Sequence, residues 1–347
     1  MRIDLAAFAD GAADEEYFDE DLGPRRPLII VGLDATVSPA TWEKATERIR
    51  GHDGLLVGCA QRPTEQTVLL SRHLDLTVAR EAPERTFVAV DDPEQEAHEL
   101  VAAAGAHPQA TAVLGQVLRA TERLTVAEAL DVESFAYSTL LAGREFERWL
   151  ALRRERSDPP VVPQPVLLAR EGDILRITFN QQDRRNAYGS AMRDALVEAL
   201  AFAERDPSLK EIVLAGSGPV FSSGGDLAEF GRARDLATAH LVRTRGGAAR
   251  ALHRLRDRTT AQVHGACVGA GVELPAFAGR VTAAEGTTFR LPEIGMGLIP
   301  GAGGTVSIPR RIGRRRTLHL ALTGRRLTAE RALDWGLVDR IDAPGPS

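Results

Sequence analysis

Residues 264–304 constrain this chain more than any other stretch, because glycine-dense turns there accompany two glutamates, Glu273 and Glu293, in otherwise apolar surroundings. Gly269 and Gly271 let the backbone approach a ligand closely, and the spacing of Val272, Leu274 and Phe277 predicts a helix starting there. The first N–H groups of a helix have no partner within it, so such a turn favours an anion or an oxyanion. A second donor turn, Phe221-Ser222-Ser223-Gly224-Gly225-Asp226, lies between a strand-like run, Ile212 to Ala215, and a further helical stretch. Two donor turns with two carboxylates suit chemistry that passes through an enolate.

The chain has 347 residues, enough for two domains of ordinary size or one large one. Its net charge of -5 gives no electrostatic reason to expect nucleic acid as a partner. Cys59 and Cys267 are the only cysteines, far apart, so neither a disulfide framework nor a cysteine-rich metal site is expected, and a reducing cytoplasm fits. The first residues carry acids (Asp14, Glu15, Glu16, Asp19, Glu20, Asp21) where a secretory signal carries basic and then apolar residues. They are expected to be loosely ordered. No run reaches the roughly 18 apolar residues of a membrane span. A soluble cytoplasmic protein is the expectation.

Along the first half, Leu28 to Val31, Gly54 to Gly58, Leu76 to Ala79 and Thr86 to Val90 read as strands. Helices are predicted from Ser38-Pro39 to Ile49, over 64–73 and from Pro93 to about Ala104, giving a layered α/β unit. From Gln109 to Arg153 the pattern is helical, with Gly143 dividing two helices and an aromatic stripe (Phe135, Phe146, Trp149) at core spacing. Residues 156–165 hold four prolines and read as a linker. Beyond it, Val166 to Ala169 and Ile174 to Phe179 flank a hairpin turn, Ser190 is expected to cap a helix, and Glu211 to Ala215 returns as a strand.

Four blocks in order, Arg185-Asn186-Ala187, Ser223-Gly224-Gly225-Asp226, the glycine turn before Glu273, and Pro292-Glu293 followed by Ile299-Pro300-Gly301-Ala302-Gly303-Gly304-Thr305, resemble the crotonase family of enoyl-CoA hydratases and isomerases. A fifth, Leu322-Thr323-Gly324 with Gly336-Leu337-Val338, extends the resemblance over about 165–342. It implies an α/β fold, a crotonase-like spiral of β-β-α units, over 166–347. Residues 1–155 then form an added α/β and helical region, either a degenerate crotonase-like half or an unrelated appendage. The order of elements over 28–59 echoes 174–215 without the glycine turn or the glutamates.

The resemblance further implies an oxyanion hole from the N–H groups of Gly225 and Ala270, with Glu273 and Glu293 catalytic. Ala187, Gly224, Asp226, Leu227, Gly269, Gly271 and Gly301 would line the substrate. By the same resemblance the substrate would be an acyl-CoA thioester, with no further cofactor or metal needed, and the assembly would be a trimer or a dimer of trimers. Reversible hydration of a 2-enoyl-CoA leads, since both glutamates are present. Isomerisation, cofactor-free oxygenation of an aryl-acetyl-CoA and a non-catalytic scaffold role are the alternatives.

Three departures stand out: Ala270, which needs negative φ; Pro275, two residues after Glu273; and Gly279, where relatives place an aspartate. Family members also continue into C-terminal helices beyond the Gly-Leu-Val block, whereas this sequence stops at Ser347, so the helices from Thr125 to Arg153 are expected to cover the acyl site. The arginines at 310, 311 and 314–316 read as a solvated helix face, or as a contact for coenzyme A phosphates or an acidic patch of a neighbouring subunit. No complete dinucleotide fingerprint, Walker lysine, Gly-x-Ser-x-Gly elbow or His-Glu-x-x-His spacing occurs, and Cys267 reads as a small buried thiol.

Overall fold

The apolar runs of the first half become the strands of one parallel sheet. A computed structural model describes residues 2–14, 16–20, 23–153 and 163–342. Two compact units emerge from its contacts, Met1–Arg119 with Ile312–Thr323, and Ala120–Arg311 with Gly324–Ser347. In the first, β1 (Arg2–Asp4), α1 (Leu5–Ala9), β2 (Leu28–Gly32), α2 (Pro39–Gly51), β3 (Leu55–Cys59), α3 (Glu65–Ser71), β4 (Leu76–Ala79), β5 (Phe87–Ala89), α4 (Pro93–Ala106) and α5 (Pro108–Thr121) follow in order. The strands lie in sequence order, each parallel to the next. Every residue of β2, β3 and β4 is buried, which is why they read as continuous apolar runs rather than alternating ones. Ser38 caps α2 by accepting from Thr41 N, with Pro39 in the first turn.

The N-terminal arm is not loose as its acidity suggested. Arg2 to Asp4 pair with Ile30 to Gly32, and Ile3, Leu5 and Phe8 are buried in the core. Two of the arm's acids are engaged, Asp10 with Lys44 at 2.9 Å and Asp14 with Arg48 at 2.6 Å. Apolar anchors at every second or third position outweigh the charge count.

The second unit begins with α6 (Val126–Leu141) and α7 (Arg144–Ala151), then β6 (Val166–Glu171), β7 (Ile174–Phe179), α8 (Ser190–Arg205), β8 (Glu211–Gly216), α9 (Leu236–Arg245), α10 (Ala249–Arg254) and β9 (Thr259–Val263). It continues through β10 (Ala266–Val268), α11 (Ala270–Glu273), β11 (Arg280–Ala284), β12 (Thr288–Arg290) and α12 (Gly304–Ile312). Next comes α13 (Arg314–Thr323), a member of the first unit, before β13 (Leu327–Thr328), α14 (Ala329–Trp335) and β14 (Arg340–Asp342). A six-stranded sheet runs β14-β11-β9-β8-β7-β6, parallel except for the hairpin β6–β7, and a three-stranded sheet runs β10-β12-β13.

The boundary between units thus falls ahead of α6 rather than in the proline-rich 156–165, of which 156–162 lie outside the described residues. Gly143 stands at the N-cap of α7, between the two predicted helices. At α8 the cap differs from expectation. Gly189 takes that position, and the Glu229 carboxylate accepts from Ser190 N and Oγ, both at 2.9 Å, so a distant acid serves the helix N-terminus. The arginine run is not a solvated face either. Arg310 donates to Val306 O and Leu124 O, Arg311 to Ala276 O and Ala278 O, and Arg314 and Arg315 both to Leu74 O. Guanidinium forks reach several carbonyls at once and serve as internal braces. Among the described residues no helix is long and apolar enough to cross a membrane.

Candidate active site

Asn186 anchors the first donor turn. Arg185 and Asn186 both take φ 52°, and the buried Asn186 side chain donates to the carbonyls of Ser217, Val220 and Phe221 at 2.8 to 3.1 Å while accepting from Gln181 N. Ser222 Oγ donates to Asn186 O and accepts from Gly224 N. Tyr188 N donates to Gly224 O at 2.8 Å, and Asp226 N to Tyr188 O at 3.1 Å. This pattern occupies the N–H groups of Gly224 and Asp226 and leaves that of Gly225 between them. Among the described residues it meets no acceptor.

The second turn lies against the first, since Val268 N donates to Ser222 O at 3.0 Å. Gly224 and Gly269 both have positive φ, and a Cβ would come 2.8 Å from Val268 O at Gly224 and 2.4 Å from Glu293 Oε1 at Gly269. Only glycine fits where the turns and Glu293 meet. Ala270 then opens α11 without positive φ, as required, and its N–H has no acceptor among the described residues. The helix predicted from the spacing of Val272, Leu274 and Phe277 is a single turn, followed by a 3-10 helix at Pro275–Phe277. Pro275 therefore falls where the α-helix has ended, and its missing donor breaks nothing. Gly279 has a packing reason: a Cβ there would lie 2.4 Å from Arg256 O, so the aspartate of relatives does not fit.

Glu273 ends α11 and is 2% exposed, with Oε2 accepting from Ala302 N at 2.7 Å and Gly304 N at 2.8 Å. Glu293 begins a 3-10 helix, Glu293–Met296, and its buried Oε2 has no partner among the described residues. A third carboxylate was not anticipated. Glu133 of α6 accepts from Gly303 N at 2.7 Å, Thr305 N at 2.9 Å and Thr305 Oγ1 at 2.7 Å. Burial pushes the carboxyl of Glu133 up to about 7 and that of Glu293 up to about 8. Burial also holds Glu273 well above the usual carboxylate range, with the charges of Glu293 and Glu133 adding to it. Three carboxyls in one water-poor site do not all ionise at neutral pH.

Gly225, Asp226, Ala270, Glu273, Glu293 and Gly301 line one cavity of about 560 Å³, together with Glu133 and Tyr137 of α6 and Arg243 of α9. Ala187, Gly224, Leu227, Gly269 and Gly271 stand outside its lining. Gly224, Gly269 and Gly271 hold the turns together from behind, and Leu227 opens the 3-10 turn Leu227–Glu229, which Asp226 caps. Asp226 also binds Arg184 at 2.7 Å.

Of the helices from Thr125 to Arg153, α6, capped by Thr125, supplies Leu130, Glu133, Ser134, Tyr137 and Leu141 to the cavity, whereas α7 supplies none of its lining. Arg243 lies 4.9 Å from the Tyr137 ring centre and donates to Ser134 Oγ and Ser138 Oγ. A sequence signal for Glu133 existed, because it shares the helical stripe of Leu130, Tyr137 and Leu141, where an unpaired charge is out of place. Cys267 is fully buried, which pushes its thiol up and keeps it from being a nucleophile. Among the described residues no group of three or more His, Cys, Asp or Glu is placed to hold a metal ion.

Residues 169–345 match the family model for enoyl-CoA hydratase/isomerase. The 2,3-dehydroadipyl-CoA hydratase of Escherichia coli (strain K12) is 35% identical over 176 residues, covering 51% of this chain and 68% of that protein. The 1,2-epoxyphenylacetyl-CoA isomerase of the same organism is 34% identical over 176 residues, covering 49% and 67%. Among solved structures, an enoyl-CoA hydratase of Mycobacterium smegmatis shares 31% identity over 52% of this chain and 70% of that one, with a TM-score of 0.48. The chain belongs to the enoyl-CoA hydratase/isomerase family, and the fold of its second half is crotonase-like.

Proposed function

We propose that this chain binds an acyl-CoA thioester and catalyses the reversible addition of water to a 2-enoyl-CoA. One observation carries the reading: Gly225 and Ala270, whose N–H groups meet no acceptor among the described residues, line a single cavity with Glu273 and Glu293. With the thioester oxygen between the two N–H groups, electron density moving onto it during addition meets donors already in place. One glutamate, as carboxylate, takes a proton from water while the water oxygen bonds to the β-carbon. The other, as carboxylic acid, gives a proton to the α-carbon, so water is divided across the double bond. The raised carboxyls suit this, because the pair then carries fewer than two charges near neutral pH. Coenzyme A enters as part of the substrate, and proton transfer of this kind calls on no further cofactor.

Double-bond isomerisation is the second reading. It draws on the 34% identity to a protein named as an isomerase and needs only one of the two carboxyls. Loss of the ultraviolet absorbance of crotonyl-CoA, extended to longer and aromatic enoyl-CoAs, tests hydration directly. Glu273→Gln and Glu293→Gln are each expected to lower turnover about 10²- to 10⁴-fold with thioester binding retained. Full hydration in both variants would refute the assignment, and movement of a double bond without uptake of water would favour isomerisation.

A further inference from the structure

We propose that Glu133 is a positioning residue of the catalytic pair, holding Glu273 in place by sharing with it one continuous row of backbone donors. The inference rests on the reading of Glu273 as an acid–base group. Glu133 precedes the residues matched by the family model, 169–345, and reaches the site from α6. The four successive N–H groups leading into α12 are divided alternately: Ala302 and Gly304 donate to Glu273, Gly303 and Thr305 to Glu133. Neither carboxylate can move without changing the donors open to the other. Without Glu133, two buried N–H groups lose their acceptor, and the Glu273 carboxylate already accepts from the N–H groups on either side of Gly303. Its carboxyl is then drawn off its present geometry, a change that reaches turnover rather than substrate affinity.

Charge adds a second consequence. Glu133 faces Glu273 of α11, Glu293 of the 3-10 turn, Tyr137 on its own helix and Arg243 of α9. Arg243 favours its ionisation, and its charge in turn disfavours ionisation of the two other glutamates. Taking that charge away lets the catalytic pair ionise at lower pH.

The test compares Glu133→Gln and Thr305→Val with the unaltered protein. Glu133→Gln is expected to lower kcat about 10- to 100-fold with KM changed little, and to move the acid limb of the pH profile down by roughly one unit. Glu133→Asp, keeping the charge on a shorter arm, should recover part of both. Thr305→Val keeps the carboxylate and both backbone bonds but removes the hydroxyl that favours its ionisation, so the limb should move the same way by less.

Normal kcat with an unmoved limb in folded Glu133→Gln overturns the proposal. If that variant does not fold, an unmoved limb in Thr305→Val overturns it. Should the unaltered protein turn over no enoyl-CoA, the function proposed above fails separately. An infrared titration of the protonated carboxyl bands, without substrate, then decides: bands of Glu273 and Glu293 that stay in place when Glu133 becomes Gln refute the coupling.

Discussion

Glu293 shows how one residue can serve the site and weaken the fold. Its buried Oε2 has no partner among the described residues, and burial lifts the carboxyl from 4.5 to about 8. Between those values the folded chain holds a proton that the unfolded chain has released, so stability falls as pH rises through the window and levels off above it. Glu293→Gln removes the proton linkage. The variant should match the unaltered protein near about pH 4 and exceed it at about pH 8.5 by on the order of a few kcal/mol. Thermal unfolding at the two pH values checks this, and an equal difference at both would mean that the carboxyl is not held protonated. The two glycine turns and the glutamates near them were legible from residue types, while the roles expected of Gly225, Ala270, Glu273 and Glu293 came with the family resemblance. Glu133 was missed although it stands on an apolar stripe of α6, because the partners that explain it lie 170 and 172 positions away.

At the scale of elements, legibility followed local physics. β2, β3 and β4 are buried on both faces and declare themselves as apolar runs, while the hairpin β6–β7 is declared by its Glu171-Gly172-Asp173 turn. α11 was read too long, because a periodicity carried through Pro275 is shared by an α-turn and the 3-10 turn that follows it. The role of α13 was hidden for a different reason. Its arginines look solvated until Asp75 is seen beneath them, 3% exposed, accepting from Arg119 Nε at 2.7 Å, Arg314 Nη1 at 3.0 Å and Leu56 N at 3.0 Å. Burial alone would raise this carboxyl, but the hydrogen bonds and charge of Arg119, with Leu56 N–H and Arg314, hold it below the usual range. Asp75→Ala leaves two guanidinium groups facing a buried gap and is expected to destabilise the chain by about 3 to 5 kcal/mol. Chemical denaturation reads this as a lowered midpoint, and an unchanged midpoint would show that water replaces the carboxylate.

For the whole molecule, sequence similarity and structural unity do not coincide. The family-matched residues 169–345 omit α6 and α7, which belong to the second unit, and include α13, which belongs to the first. Similarity follows a continuous stretch of sequence, whereas compactness is decided by which apolar faces meet. A truncated chain beginning at residue 163 therefore loses two things at once. Gly303 and Thr305 lose their acceptor in Glu133, and α13 loses α4, β4 and β5, against which it packs. Leu318, Leu320 and Leu322 of α13 are all buried, and a leucine returned to water costs about 1.5 to 3 kcal/mol. Such a chain is expected to aggregate and to show no turnover. A chain beginning at residue 120 restores α6 and its carboxylate but not the partners of α13, so it should regain the cavity while remaining prone to association. Size-exclusion chromatography and the crotonyl-CoA assay on both truncations separate the two contributions. A monodisperse, fully active chain beginning at residue 163 would show that neither α6 nor the first unit is needed for the fold or the site.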